Sequence, residues 1–223
     1  MIVAERKPLP EILNNVRDAG RLLVVGCNTC VAVCLAGGER EVAVLSSALR
    51  LALRERETPI EVVERSIERQ CEEEFNAPLA EAIASADAVL SMACGVGVQT
   101  LAEQFPDAIV LPALNTQYMG RPEGIGVWSE RCYGCGDCVL DRFGGVCPIA
   151  RCSKNLLNGP CGGSANGKCE VDPERIDCAW QLIYDRLARL GQLDRLLAVE
   201  PPKDWRPSRH GGPRKTVRED MVR

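Results

Sequence analysis

The first half of the chain alternates short apolar runs with helical repeats. Apolar runs typical of buried strands occupy residues 21–25, 59–63, 87–92 and 107–111. Between them, apolar residues recur at helical spacing, which predicts helices over residues 9–19, 38–56, 73–85 and 97–104. Strands that alternate with helices form βαβ units. Residues 1–125 are therefore predicted to be an α/β domain built on a small doubly wound parallel sheet.

The periodic pattern stops at a segment, Gly120–Trp128, that is predicted to be a linker. Residues 126–199 are then glycine-rich, and few of their side chains can be buried. A helix is predicted over 178–197, with an apolar face of Trp180, Ile183, Tyr184, Leu187 and Leu190. Apolar residues become rare again after Pro201, so residues 200–223 are predicted to be an extended tail that is mobile or ordered by a partner.

Cysteines change this picture, because eight of the thirteen lie between residues 132 and 178. Two residues separate Cys132 from Cys135 and Cys135 from Cys138, a spacing that directs three thiols to one centre, as an iron–sulfur cube requires. Cys147 precedes Pro148, as in ferredoxins, although eight residues rather than three separate it from Cys138. Metal ligation is thus the candidate force that orders this ferredoxin-like, cluster-binding region.

The other five cysteines follow the predicted strands. Cys27, Cys30 and Cys34 follow the first, Cys71 the second and Cys94 the third. Loops after parallel strands share one edge of the sheet, so these thiols are expected to lie together. Glycines nearby are expected to leave room for a cofactor. Four thiols hold one cube, and Cys34, or alternatively Cys30, is the spare.

Charge and length exclude several classes of protein. With 223 residues and a net charge of −4, nothing indicates recruitment to nucleic acid or membrane by bulk charge. No apolar run approaches the roughly 20 residues of a membrane span. The N-terminal residues do not resemble a signal peptide. A cytoplasmic location is expected, where thiols stay reduced. An odd number of cysteines and the missing signal disfavour a disulfide-rich secreted protein.

A dinucleotide site is also disfavoured. The first strand is followed by Gly26-Cys27-Asn28-Thr29-Cys30, not by the Gly-x-Gly-x-x-Gly fingerprint.

Several motifs resemble the methylenetetrahydrofolate reductase C-terminal domain family over residues 9–206. The most specific is Asn158-Gly159-Pro160-Cys161-Gly162-Gly163. The others are Gly26–Cys30, Ala93–Gly97, Cys178-Ala179-Trp180 and Pro201–Trp205. Members are small cysteine-rich subunits that accompany the flavin subunit of that reductase.

The resemblance implies an electron-transfer subunit, itself non-catalytic, in one-carbon metabolism. It would relay electrons through two to three [4Fe-4S] clusters to or from the flavin of the catalytic subunit, and further electron-transfer subunits are possible partners. The chain is too short to add the (β/α)₈ barrel of about 250 residues, so it is expected to bind neither flavin nor folate by itself. Zinc is also associated with the family, so a structural zinc adaptor that docks the reductase to a larger assembly is the alternative. No pattern indicates a stand-alone enzyme.

Twelve thiols fill three four-cysteine sites. The predicted ligands are Cys27, Cys30, Cys71, Cys94, Cys132, Cys135, Cys138, Cys178, Cys147, Cys152, Cys161 and Cys169. Cys178 or Cys147 completes the site of the Cys132–Cys138 loop, and the other joins the remaining three. Three alternatives stay open for these sites: clusters only, clusters plus one zinc, or zinc only. The single histidine, His210, is expected to be solvated. Trp128, Tyr133, Trp180, Trp205 and the tail are candidate contacts with the flavoprotein.

Overall fold

The computed structural model describes residues 1–54, 60–218 and 220. These residues form two compact units, Met1–Ser129 and Glu130–Arg223. No helix among them is long and apolar enough to cross a lipid bilayer.

The first unit alternates strands with helices, as the apolar pattern predicts. Its elements are β1 (Ile2–Arg6), α1 (Leu9–Asn15), β2 (Arg21–Cys27), α2 (Cys30–Val33), α3 (Glu39–Ala52), β3 (Glu61–Ile67), α4 (Glu73–Asn76), α5 (Ala80–Ala84), β4 (Ala88–Met92), α6 (Gly95–Gln104), β5 (Val110–Pro112) and β6 (Leu114–Gly124). β7 (Val127–Cys132) follows. The predicted helix end at 56 and strand start at 59 lie outside the described residues.

Strands β2 to β5 form a four-stranded parallel sheet in the order β3-β2-β4-β5, which confirms the predicted parallel sheet. β2 is central and buried on both faces. Leu22 and Val24 pack on one side with residues of α1 and α3, while Leu23 and Val25 pack on the other with residues of α5 and α6. Because helices cover both faces, the strand reads as a continuous apolar run.

Helix α3 shows how the sequence sets one of these layers. It begins after Gly38, whose backbone N–H donates to Glu41 Oε2 at 3.1 Å. Val42, Leu45 and Leu49 recur at helical spacing, and all three are buried against the sheet. The helix ends at Ala52.

The predicted linker at Gly120–Trp128 is wrong, because its residues belong to a second sheet. This sheet is three-stranded in the order β1-β6-β7, with β1 antiparallel to β6. Most of β6 is exposed and contains glycine and proline, so it lacks the alternating apolar pattern of a half-buried strand. Val3 and Leu114 of this sheet pack against Val31 of α2.

The second unit has little regular structure. Its elements are α7 (Pro148–Arg151), β8 (Lys168–Cys169), β9 (Asp172–Asp177), α8 (Ala179–Arg189) and 3₁₀ turns at Leu193–Leu197 and Arg209–Gly211. Trp180, Ile183 and Leu187 of α8 are buried, as predicted. Tyr184 and Leu190 are exposed, and the α-helix ends eight residues before the predicted end at 197, so that part of the prediction is wrong.

The tail from residue 200 is also not the free segment that the sequence predicts. Its polar side chains bond to the loop Cys132–Cys138 within the second unit. Charged hydrogen bonds hold the tail against this loop, so a low content of apolar residues does not by itself predict a segment without contacts.

Candidate metal centres

The carboxyl edge of the parallel sheet carries cysteines from three different connections. From β2 the chain moves to β3 on one side and then to β4 on the other, so the switch point lies between β2 and β4. Cys27 ends β2, and Cys94 follows β4 by two residues. Cys71 lies four residues beyond β3. Ligands of open parallel sheets bind at such a switch point.

The thiols at this edge interact electrostatically. Cys71 is exposed as a residue, but its sulfur is partly withdrawn from water, and this desolvation raises the pKa of its thiol. Negative charge on Cys27, and then on Cys94, raises that pKa further. Cys27, Cys71 and Cys94, which follow three neighbouring strands at this edge, are called the edge thiols below.

A buried polar network lies beside the edge thiols. The side chain of Gln70, the residue before Cys71, donates to Val25 O at 2.9 Å and to Gly26 O at 3.2 Å. Ser91 Oγ donates to Gln70 Oε1 at 2.6 Å, and Asn76 Nδ2 donates to Gln70 O at 3.1 Å. This network ties the segment with Cys71 to the ends of β2 and β4. Sequence reasoning missed it, because isolated polar residues in a connection carry no periodic signal.

Cys30 and Cys34 belong to a different part of this edge. Cys30 begins α2, and the neighbour that it perturbs electrostatically is Cys34. Cys34 is buried, which raises the pKa of its thiol, and its sulfur accepts from Ala4 N at 3.4 Å. These contacts favour Cys34 as the spare thiol, an assignment that stays a prediction.

The glycines near the edge do not leave the expected room for a cofactor. A Cβ on Gly37 would lie 1.9 Å from Met92 O, and one on Gly97 would lie 2.9 Å from Gln70 Cβ. These positions therefore serve close packing of protein against protein. Gly95 is the exception, since the nearest atom to its Cβ would be Thr116 Oγ1 at 3.6 Å.

In the second unit, backbone N–H groups point at several sulfurs. Gly134 N donates to Cys132 Sγ at 3.4 Å, and Ala150 N donates to Cys147 Sγ at 3.4 Å. The Ser153 hydroxyl, 3.5 Å from Cys169 Sγ, lowers the pKa of that thiol, with help from backbone N–H groups that follow it. Hydrogen bonds to sulfur stabilise the thiolate, which is the form that ligates metals.

The remaining predicted ligands differ in burial. Cys178 is buried at the start of α8, and Cys152 packs on the same small core. Cys161 is half-buried, whereas Cys132 and Cys138 are exposed. Some of the eight thiols therefore lie against the apolar core of the second unit, and others lie on exposed loops.

All thirteen cysteines are free thiols, so the donor chemistry fits a thiolate-ligated centre. Among the described residues, however, no three His, Cys, Asp or Glu side chains are placed so that they could hold a metal ion. The cysteines thus supply the right kind of ligand atom for a metal centre, but the structure does not bring three of them around one point. The twelve-ligand set and its pairing stay predictions.

His210 is exposed, as the sequence predicts. Its ring also stacks on Tyr133 with centroids 6.3 Å apart and meets Trp205 edge-on at 5.3 Å. Trp180, a candidate partner contact, is instead buried against Phe143 at 5.4 Å and donates to Leu156 O.

Comparisons with known proteins give one match. Neither the curated proteins nor the solved structures contain a match to this chain. A family model described as methylene-tetrahydrofolate reductase C terminal matches residues 111–206. This span includes all eight thiols of the second unit and ends within the tail. Residues 111–206 are thus similar to the methylene-tetrahydrofolate reductase C-terminal family, which supports the resemblance drawn from the sequence over that span, whereas the resemblance of residues 9–110 stays a prediction.

Proposed function

We propose that this chain is an electron-transfer partner of the flavin-containing methylenetetrahydrofolate reductase, with its thiols as ligands of [4Fe-4S] clusters. The observation that carries this proposal is the family match over residues 111–206, which associates the chain with the reductase system. That matched span contains eight free cysteines, more than any structural role in so small a core requires.

The thiol environments support ligation to an anionic, thiolate-rich centre. Backbone N–H groups donate to the sulfurs of Cys132 and Cys147, and the Ser153 hydroxyl, with backbone N–H groups, lowers the pKa of the Cys169 thiol. In the first unit, repulsion among the edge thiols disappears when a cation lies among them. We assign Cys30, at the first turn of α2, as the fourth ligand of that site.

Each part of the chain then has a defined task. When bound, iron–sulfur clusters supply one-electron transfer, which flavins can also perform. The residues of this chain hold the thiolates, donate hydrogen bonds to them and withdraw Cys27 and Cys178 from water. Reduction of methylene- to methyl-tetrahydrofolate takes place on the partner's flavin.

Anaerobic purification, alone and with the flavoprotein subunit, tests this proposal. We expect iron and acid-labile sulfide in a ratio near one to one, visible charge-transfer absorption, and co-elution with the flavoprotein. Cys71→Ser is expected to lower the iron content, whereas the matched control Cys34→Ser leaves it unchanged. Zinc without sulfide would instead identify the structural adaptor. A metal-free chain that does not bind the flavoprotein would overturn the proposal.

A further inference from the structure

The segment Lys203–Arg214, called the strap below, packs on the loop Cys132–Cys138 within the second unit. We propose that the strap is a clamp that restricts the motion of this loop and slows the loss of metal once the loop has bound it, with Lys203 and Arg214 as positioning residues. The inference rests on the proposed function in that it takes the loop to hold metal.

Lys203 contacts the second half of the loop, Cys135–Cys138. Its Nζ donates to the backbone oxygen of Asp137 at 2.6 Å and approaches the carboxylate Oδ2 of the same residue at 3.1 Å. Only 2% of the lysine side chain is exposed, an environment that lysine tolerates only when its charge is paired. Asp137 lies between Cys135 and Cys138, so the ammonium group restrains the backbone that spaces these two thiols.

Arg214 contacts the first half of the loop, Cys132–Cys135. Its Nη1 donates to Gly134 O at 3.0 Å and to Pro207 O at 2.9 Å, and so joins the loop to the strap. Gly136 allows the close approach, because a Cβ there would lie 2.4 Å from Pro207 O and the residue has a φ of +81°. The strap therefore contacts both halves of the loop, at Gly134 and at Asp137.

Aromatic rings complete the contact. Tyr133, between Cys132 and Cys135, meets Trp205 edge-on with centroids 6.2 Å apart and stacks on His210. The strap keeps its own shape through Ser208, which is buried, accepts from His210 N at 3.0 Å and donates to Trp205 O. It is a folded element and not an extended chain that happens to lie nearby.

These contacts bear on metal retention, because a metal leaves a multi-thiolate site only when the loop opens and its sulfurs separate. A strap that is hydrogen-bonded to both halves of the loop resists that opening. Losing one of its charged hydrogen bonds should accelerate release from the Cys132–Cys138 loop and leave the edge thiols unchanged, since they lie in the other unit.

The test compares four variants of the full chain with the wild type. Lys203→Met and Arg214→Met remove the clamping charges, and Lys203→Arg is the rescue. Arg206→Met is the control, because it removes the same charge from within the strap while its side chain pairs with Asp204. Purified protein receives a pulse of chelator, exposed thiols are alkylated, and mass spectrometry gives the labelling rate of each cysteine.

We expect Lys203→Met and Arg214→Met to label Cys132, Cys135 and Cys138 about tenfold faster than the wild type. Lys203→Arg restores most of the protection, and Arg206→Met matches the wild type. Cys27, Cys71 and Cys94 label at the same rate in every variant. Metal-protected wild-type thiols together with unchanged rates in both Met variants would overturn the clamp.

If no wild-type thiol depends on metal for protection, the proposed function fails and the clamp is judged separately. Amide hydrogen exchange of residues 133–138 in the metal-free chain is then the measurement, with α8 amides reporting that the variant is folded. The clamp predicts about tenfold less protection of the loop in Lys203→Met than in the wild type. Equal protection would overturn it.

Discussion

The two units of this chain are stabilised by different means. In the first, helices cover both faces of β2, and Leu22, Leu23, Val24 and Val25 are all buried. In the second, the main apolar cluster among the described residues is smaller and consists of Val139, Phe143, Cys178, Trp180, Ile183 and Leu187. The edge thiols therefore sit on a scaffold that folds by burial, whereas most thiols of the second unit sit on loops held by local polar contacts.

Ion pairs do not replace the missing core. Arg142 pairs with Glu200, and Lys168 pairs with Asp177 at 2.6 Å, but in each pair the basic side chain is more than 40% exposed to solvent. Exposed pairs contribute about 0–1 kcal/mol each. We therefore expect the stability of the second unit to depend on the proposed metal ligation and on the strap, and that of the first unit to depend on apolar burial. Four predictions test this contrast, in order of decreasing effect.

Metal removal is expected to have the largest effect. Structural metal sites contribute on the order of 10 kcal/mol to folding, so chelation should abolish amide protection over residues 130–178. Amides of β2 and β4 should remain protected, because their stability comes from apolar burial. Hydrogen exchange before and after chelation measures both. Equal loss of protection in the two units would break the contrast.

Leu90→Ala should destabilise the first unit by about 2–5 kcal/mol, since Leu90 is fully buried in β4 and the change leaves a cavity. Leu51→Ala on the exposed face of α3 is the control and should stay within about 0.5 kcal/mol of the wild type. Urea unfolding followed by β2 and β4 amides gives both values. A similar effect of Leu90→Ala on α8 amides would contradict independent stabilisation of the units.

Gln70→Leu should cost about 1–3 kcal/mol, because it removes the donor to Val25 O and Gly26 O inside the core. It should also release the segment that carries Cys71, so that this thiol reacts faster with an alkylating reagent. Gln117→Leu on exposed β6 is the matched control. Unchanged Cys71 reactivity in a folded Gln70→Leu protein would show that the network does not position this thiol.

The smallest effect is electrostatic. Hydrogen bonds from Arg206, first from its side chain and then from its backbone, hold the pKa of Asp204 at about 2, below its ordinary 3.8. The stabilisation from this pair is therefore complete above about pH 3.8 and is lost as the pH falls through about 2. Arg206→Met should raise the pKa toward 3.8 in a carboxyl-carbon NMR titration. An unchanged pKa would remove Arg206 as its cause.

The sequence predicts the first unit well because burial leaves a periodic signal. β2 reads as an apolar run, and α3 shows Val42, Leu45 and Leu49 at helical spacing. The antiparallel sheet is different. β6 is mostly exposed, so nothing in its pattern separates it from a linker, and its pairing with β1 joins residues more than 100 positions apart.

The candidate site divides in the same way. Strand–helix alternation places Cys27, Cys71 and Cys94 after strands at the carboxyl edge of the sheet, and the structure confirms those positions along the chain, whereas their joint ligation of a cluster stays a prediction. The Gln70 network and the strap depend on single hydrogen bonds between distant residues. Lys203 and Asp137 are 66 positions apart, and neither occurs in a repeat that would mark the contact.

The most direct test of the central claim is electron transfer between this chain and the flavoprotein. The purified chain is mixed anaerobically with the reduced flavin subunit in a stopped-flow spectrometer, and visible absorption is followed at wavelengths dominated by iron–sulfur charge transfer. The account predicts bleaching of that absorption together with reoxidation of the flavin. A chain that binds the flavoprotein and carries iron, but whose absorption does not change while the flavin stays reduced, would contradict it.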